Sequence, residues 1–289
     1  MKTKNIVAIK SNLKLTCFFI FFFNTLVFPQ SNNHGDTAIN QEETENFLCI
    51  EIYGEKGSNI KVRLNDIPVC ELLIENEEGY GNSFTLANHY AIPNINTVSV
   101  YPLSKKGSAT IRLATYKKGE ITGENNGKTL LKINVKNDDA PVHKQVILPS
   151  NLKKWSWIDT DIITNKNSKE EAIAFAKSFY KTMEEGNINE MVAAADPIIG
   201  YEVLSKPEIS KENLINEWIK GLKMVFTDQN IYDNIDSISI RLTPVANGKL
   251  FEVTRDDGSW LFRTSDKNEF PVGFKSIIGR KNGVWKFYH

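Results

Sequence analysis

The chain has 289 residues, 41% of them hydrophobic and 24% charged, with 35 Lys plus Arg against 35 Asp plus Glu and no formal net charge. That balance supplies no global field to gather nucleic acid or an anionic membrane surface, so neither is expected as a partner. The charges are interspersed, as in Lys117-Lys118-Gly119-Glu120, which is how a solvated globular surface reads.

Leu15 to Phe28 form an apolar run behind Lys2, Lys4, Lys10 and Lys14. The run is shorter than the ~20 residues a bilayer-spanning helix needs, and with its basic lead-in it predicts a signal peptide over residues 1–30. Cutting is expected between Pro29 and Ser31, with export to the periplasm or the exterior, and contact with the membrane only through an uncut leader. Cys17 begins the apolar run instead of following it, so it is not a lipid-bearing cysteine. Residues 31–45 are polar and nearly free of bulky apolar side chains, a composition that predicts a flexible lead-in.

Removing the leader leaves about 260 residues, which suits two domains. Cys49 and Cys70 then remain. In an oxidising compartment they form a disulfide candidate; the alternative is two buried thiols packed as small hydrophobes. His34, His89, His143 and His289 stand at no ligand spacing from one another or from a cysteine, so no metal site and no cofactor is expected.

Seven short runs follow: Phe47 to Tyr53, Asn59 to Asn65, Val69 to Glu75, Ser83 to Ala87, Asn96 to Tyr101, Ala109 to Tyr116 and Leu130 to Val135. Ile60, Val62 and Leu64 alternate with Lys61 and Arg63, and Gly, Asn or Pro separates most runs. The pattern predicts an antiparallel β-sandwich over residues 46–136. Leu64 to Val69 and Phe84 to Leu103 resemble small β-sandwich modules, including galactose-binding-like accessory domains. That resemblance implies sugar binding or support of a neighbour, with His89, Tyr90 and Tyr101 either forming a binding face or filling the core. Residues 137–165 read as a linker, broken by charge and two prolines, in which Trp155 and Trp157 are expected to pin the chain onto a domain.

Ser168 to Glu171 read as a capping box, opening a helix whose apolar residues Ala172, Ala176, Phe179, Tyr180 and Met183 share one face and which Gly186 ends. Asn187 to Glu190 read as a second box before a short helix stopped at Asp196-Pro197, and a third helix is expected over about Lys211 to Phe226. After Asn234 the period becomes alternating in five runs, with Asn247-Gly248, Asp256-Asp257-Gly258 and Asn282-Gly283 as turns. The expected fold class is therefore α+β: the N-terminal β-sandwich, then a C-terminal unit over residues 166–289 with three helices packed on an antiparallel sheet.

Phe175 to Met191 and Gly279 to His289 resemble the nuclear-transport-factor-2-like superfamily, which includes SnoaL-type and ketosteroid-isomerase-like proteins. The resemblance implies a curved sheet wrapped around helices as a cone enclosing a pocket, for which Tyr180, Tyr201, Trp218 and Trp260 are the candidate ligand-binding residues and a small apolar or aromatic molecule the expected ligand. It also leaves a homodimer open, since the family frequently pairs through its open sheet face. One departure is the short stretch from Pro197 to Ile209, where the family places a strand pair. Asp196, Asp233, Tyr232 and Tyr288 add raw material for acid–base chemistry, but none sits in a diagnostic motif, and no nucleophile elbow or phosphate loop is present. The expectation is an exported, non-catalytic binding or protein-interaction protein. The alternatives are a small-molecule isomerase or hydratase and an inhibitor or immunity-type protein.

Overall fold

The computed structural model describes residues 46–74, 80–104, 106–117, 119–136, 139–150, 152, 154–205, 208–227 and 229–289. The signal peptide and lead-in expected over residues 1–45 lie outside them.

Two antiparallel sheets are built from the first half of the chain. One contains β1 (Asn46–Glu55), β4 (Tyr80–Leu86), β6 (Ser108–Lys117) and β7 (Lys128–Lys136), in the order β4-β1-β6-β7. The other contains β2 (Asn59–Leu64), β3 (Ile67–Leu73), β5 (Asn94–Pro102) and β8 (Val142–Leu148), in the order β3-β2-β5-β8. Alternation along the strands sends Ile50 and Ile52 of β1, Val62 of β2, Val100 of β5 and Ile111 of β6 into one shared hydrophobic cluster. The stretch read as a linker thus contributes β8, whose Val146 and Leu148 are buried while Ile147 stands exposed.

The second half begins with α1 (Lys166–Glu184). Its N-cap is Asn165, whose side chain accepts from the Ser168 amide, so the helix opens three residues before the expected capping box. α2 (Ile188–Ala194) is capped by Asn187 as expected, and α4 (Lys211–Val225) by Ser210. Between them lies α3 (Asp196–Ser205), a fourth helix. Proline is tolerated in a first helical turn, where the missing N–H has no intrahelical partner in any case, so Asp196-Pro197 starts a helix here.

The third sheet contains β9 (Ile240–Val245), β10 (Leu250–Arg255), β11 (Ser276–Lys281) and β12 (Val284–Phe287), in the order β12-β11-β10-β9. Asn282 and Gly283, at φ 52° and 77°, close its last hairpin. Ser259 to Thr264, expected as a further strand, makes only the isolated bridges Thr254 to Trp260 and Arg263 to Gly273. Backbones approach so closely at Gly273 that a Cβ there would lie 2.5 Å from that of Arg263.

These findings correct the expected fold class. In place of a sandwich followed by a three-helix cone, the described residues form three separate four-stranded antiparallel sheets with four α-helices. The helices and third sheet enclose a core in which Phe179 packs against Phe262 and Phe287 at ring-centroid distances of 5.1 and 4.5 Å, and Phe262 stacks on Phe274 at 5.5 Å. The interior expected to be hollow is filled by rings.

The two halves meet in a smaller cluster joining Ile67, Trp155, Trp157, Tyr201, Leu250 and Ile277. Trp157 donates from Nε1 to the His89 carbonyl at 2.7 Å, and the Tyr201 hydroxyl accepts from Ser156 Oγ and the Trp157 amide. Both tryptophans are buried, which is how the sequence between the halves is held.

Candidate functional site

The four residues expected to line one pocket stand in different places. Tyr180 is fully buried in the phenylalanine core, where its hydroxyl accepts from the Asp233 amide at 3.2 Å and donates to the Arg263 carbonyl at 3.4 Å. Tyr201, on α3, belongs to the cluster between the halves. Trp218, on α4, is partly buried against the phenylalanine core and donates to Glu202 at 3.3 Å. Trp260 is half-buried and bridges to Thr254.

Cys49 and Cys70 are both free thiols. Cys49 packs with Ala114 and Tyr116 on the face of β1 opposite Ile50, whereas Cys70 packs against the cluster between the first two sheets. The β1–β4 sheet therefore lies between them, and burial pushes each thiol up to about 12. Among the described residues no group of three or more His, Cys, Asp or Glu is placed to hold a metal ion.

His89, offered with Tyr90 and Tyr101 for a binding face or the core, and His289, which had no expected role, come together around Tyr201. His89 stacks on its ring at 5.6 Å and His289 at 5.9 Å, while His289 also stacks on Tyr90 at 4.5 Å. His89 Nδ1 and His289 Nε2 are buried without a hydrogen-bond partner among the described residues. Burial pushes His89 down to about 4, and burial, with His89 and Lys275 nearby, holds His289 well below the ordinary histidine value. Both imidazoles are thus neutral in the folded state, whereas in the unfolded chain they titrate near 6.5. The unfolded state then binds more protons wherever the pH lies between those values. Stability is full above about pH 6.5 and falls as the pH drops toward 4, and His89 alone removes ~2 kcal/mol by pH 5. Urea unfolding at pH 7.5 and pH 5 is expected to show that loss, and a His89→Leu variant to lose less between the two.

Polar groups converge on the surface, in an open groove of about 490 Å³ where the end of β10 meets the segment before β9. Its lining includes Tyr232, Asp233, Asn234, Arg255, Asp256 and Lys267. Arg255 closes β10 just before the turn at Gly258, and its Nη1 donates to Asp233 Oδ2 at 2.7 Å. Burial works to raise the Asp233 pKa, but the Ser265 hydroxyl and the Arg255 guanidinium together hold it below the usual carboxylate range. Arg255 is only 16% exposed, and its Nε and Nη2 are buried with no hydrogen-bond partner among the described residues. Such orphaned donors cost about 1–3 kcal/mol each, so the arrangement is maintained against a penalty.

The sequence offered Asp233 only as raw material for acid–base chemistry and did not single out Arg255. The signal available was Arg255 beside Asp256-Asp257-Gly258, a turn carrying both charges, but nothing in one dimension joins it to Asp233. No family model, curated protein or solved structure matches the chain.

Proposed function

We propose that the protein is an exported, non-catalytic binding or interaction protein that engages its ligand or partner at the groove around Arg255 and Asp233. The observation that carries this reading is the distribution of polar groups: the C-terminal core is packed with phenylalanine rings, and charged and hydroxyl side chains converge on an open groove at the surface. The leader expected over residues 1–30 supports export. The resemblance of residues 175–191 and 279–289 to the nuclear-transport-factor-2-like superfamily belongs to the same reading, since chemistry in that group is occasional. An isomerase needs a carboxylate poised to take a proton near neutral pH. Asp233 is a weak base for that role, because its pairing with Arg255 and the Ser265 hydroxyl holds its pKa below the usual carboxylate range. An inhibitor or immunity-type role is the protein-recognising version of the same proposal.

Each part has its own test. Mass spectrometry of the protein from its host is expected to show a mature start between Pro29 and Ser31 outside the cytoplasm; a full-length cytoplasmic chain would overturn export. A photo-crosslinking residue at exposed Ser239, on the groove, is expected to give an adduct in the native host that the same residue at exposed Lys128 does not. Adducts from Lys128 alone move the site elsewhere. Turnover of a steroid enone, abolished by Asp233→Asn, would overturn the non-catalytic assignment.

A further inference from the structure

Among the described residues six strands form the edges of the three sheets: β4 and β7, β3 and β8, β9 and β12. A sheet edge offers unpaired amides and carbonyls to any other strand, and proteins blunt it with charge or proline. Five of the six are blunted in that way, by Glu71 on β3, Lys132 on β7, Lys144 on β8, Arg241 and Pro244 on β9, and Lys286 on β12. β4 is the exception. Its seven residues contain no charged side chain and no proline, and none of them is buried.

The register with β1 fixes which groups this strand presents. Leu48 accepts from the Ala87 amide, so the positions of β4 that bond to β1 are Gly81, Ser83 and Thr85. The amides and carbonyls of Tyr80, Asn82, Phe84 and Leu86 point the other way and meet no backbone partner among the described residues. The side chains of the same four stand on the face away from the sandwich core, across from Glu55, Tyr53, Glu51 and Cys49 in turn. β3 approaches from the core side, where a Cβ on Gly81 would lie 2.8 Å from Ile74, and is not hydrogen-bonded to β4.

We propose that β4 is the seam of a homodimer, pairing antiparallel with β4 of a second copy about a two-fold axis and joining two four-stranded sheets into one. A strand that meets itself antiparallel is self-complementary, as a two-fold interface requires. In the full-length register Tyr80 stands across from Leu86 of the partner subunit. These are the two large apolar side chains that β4 leaves exposed, at 84% and 48%, and they cover one another. Ser83 meets its own copy on the axis, in a non-hydrogen-bonded pair with Cα atoms about 4.5 Å apart. No charge on β4 faces its own copy across the seam. Seven residues span about 23 Å, which gives a strip on the order of 250 Å² per partner against the ~800 Å² of a standard stable interface. The pairing is therefore weak and reversible, with association expected at about 0.1 mM. It lies in the N-terminal half and uses no residue of the groove.

Sedimentation equilibrium of the mature chain between about 10 μM and 1 mM is expected to show the mass rising from monomer toward dimer. Asn82→Lys gives β4 the kind of charge that other edges carry and sets it diagonally beside its own copy. It is expected to weaken association about tenfold or more, and, Asn82 being exposed, to leave urea unfolding unchanged. The register has its own readout in Ser83→Cys, made together with Cys70→Ser and oxidised with diamide, which takes up the two thiol hydrogens. Paired Cα atoms at about 4.5 Å suit a disulfide, so a bridge between the two copies of position 83 is expected. Lys128→Cys in the same background, on the opposite edge of that sheet, is expected to bridge about tenfold less. A chain that stays monomeric to about 1 mM overturns the second copy as occupant and leaves the edge to an extended segment of another protein. Association that Asn82→Lys leaves unchanged, or equal bridging at 83 and 128, overturns the proposal by moving the contact off β4.

Discussion

Replacing Phe179 with alanine is expected to destabilise the folded protein by about 4 kcal/mol, the range for truncating a buried aromatic ring. Phe179 lies on the inner face of α1, is 6% exposed, and touches the rings of Phe175, Phe262, Phe274 and Phe287. Removing it takes away the transfer free energy of the ring and leaves a cavity that the surrounding segments can close only in part. For a chain of this size the loss corresponds to a fall in melting temperature of roughly 10 °C. Phe179→Leu, which keeps most of the volume, is expected to cost less than half as much. The measurement is urea unfolding of both variants. A loss below about 1.5 kcal/mol for the alanine variant would mean that the core is loosely filled, and the interior would return as a place for a ligand.

A similar loss, about 3–5 kcal/mol, is expected for Arg112→Ala, through a different mechanism. Arg112 on β6 and Glu51 on β1 are paired across the strands and almost wholly removed from water. The guanidinium donates to both Glu51 oxygens, to Tyr116 and Thr129, and to the carbonyls of Gly123 and Asn126, while the Tyr116 hydroxyl donates to Glu51. The loop between β6 and β7 is thereby tied down over the pair. Its tight approach depends on Gly127 at φ 64°, where a Cβ would lie 2.6 Å from both the Thr115 carbonyl oxygen and the Tyr116 ring. Alanine at 112 strands the Glu51 charge in a dry site and releases the loop carbonyls of Gly123 and Asn126. Cleavage by a protease is then expected within residues 119–127. The double change Glu51→Leu with Arg112→Met is expected to be milder than Arg112→Ala, because it leaves no unpaired charge. A double variant as unstable as the single one would show that the loop's anchoring, and not charge pairing, is what the arginine supplies.

The difference between what was legible and what was not follows the range of the forces. All seven strand runs before residue 136 were readable as short apolar runs mostly separated by Gly, Asn or Pro, and β2 also from alternation, which records the face that is buried. Asn187 was readable as a helix start because an N-cap acts on an amide three residues away, whereas α1 is capped by Asn165 and not by the Ser168 read as its box. The Asp196-Pro197 pair was read as a stop and is a start, since local chemistry permits both and packing of α3 against α4 and β12 decides. β8 was hidden for the same reason: Val142–Leu148 is polar on its outward face and becomes a strand by pairing with β5, some 50 residues earlier in the chain. Ser259 to Thr264 alternates like a strand but finds no continuous partner.

The candidate site was the least legible part. Tyr180, Tyr201, Trp218 and Trp260 were chosen as aromatics of one unit, and the fold divides them: Tyr180 and Trp218 belong to the phenylalanine core or its edge, Tyr201 to the cluster between the halves, and Trp260 to a bridge with Thr254. Arg255 and Asp233 are 22 residues apart, and the two donors that distinguish this arginine are defined only by what the folded chain leaves unpaired. The sequence by itself determined the balanced charge, the apolar run at residues 15–28, the strand-rich first half, and three of the helices that follow it with the cap at Asn187, all of which depend on composition or on neighbours within a few residues. Only the tertiary structure decided that there are three separate sheets, that rings fill the second core, that the two thiols stand on opposite sides of a sheet, and that a half-used guanidinium lies beside an open groove. Those outcomes depend on contacts between distant segments, whose free energy exists only once the chain has brought them together.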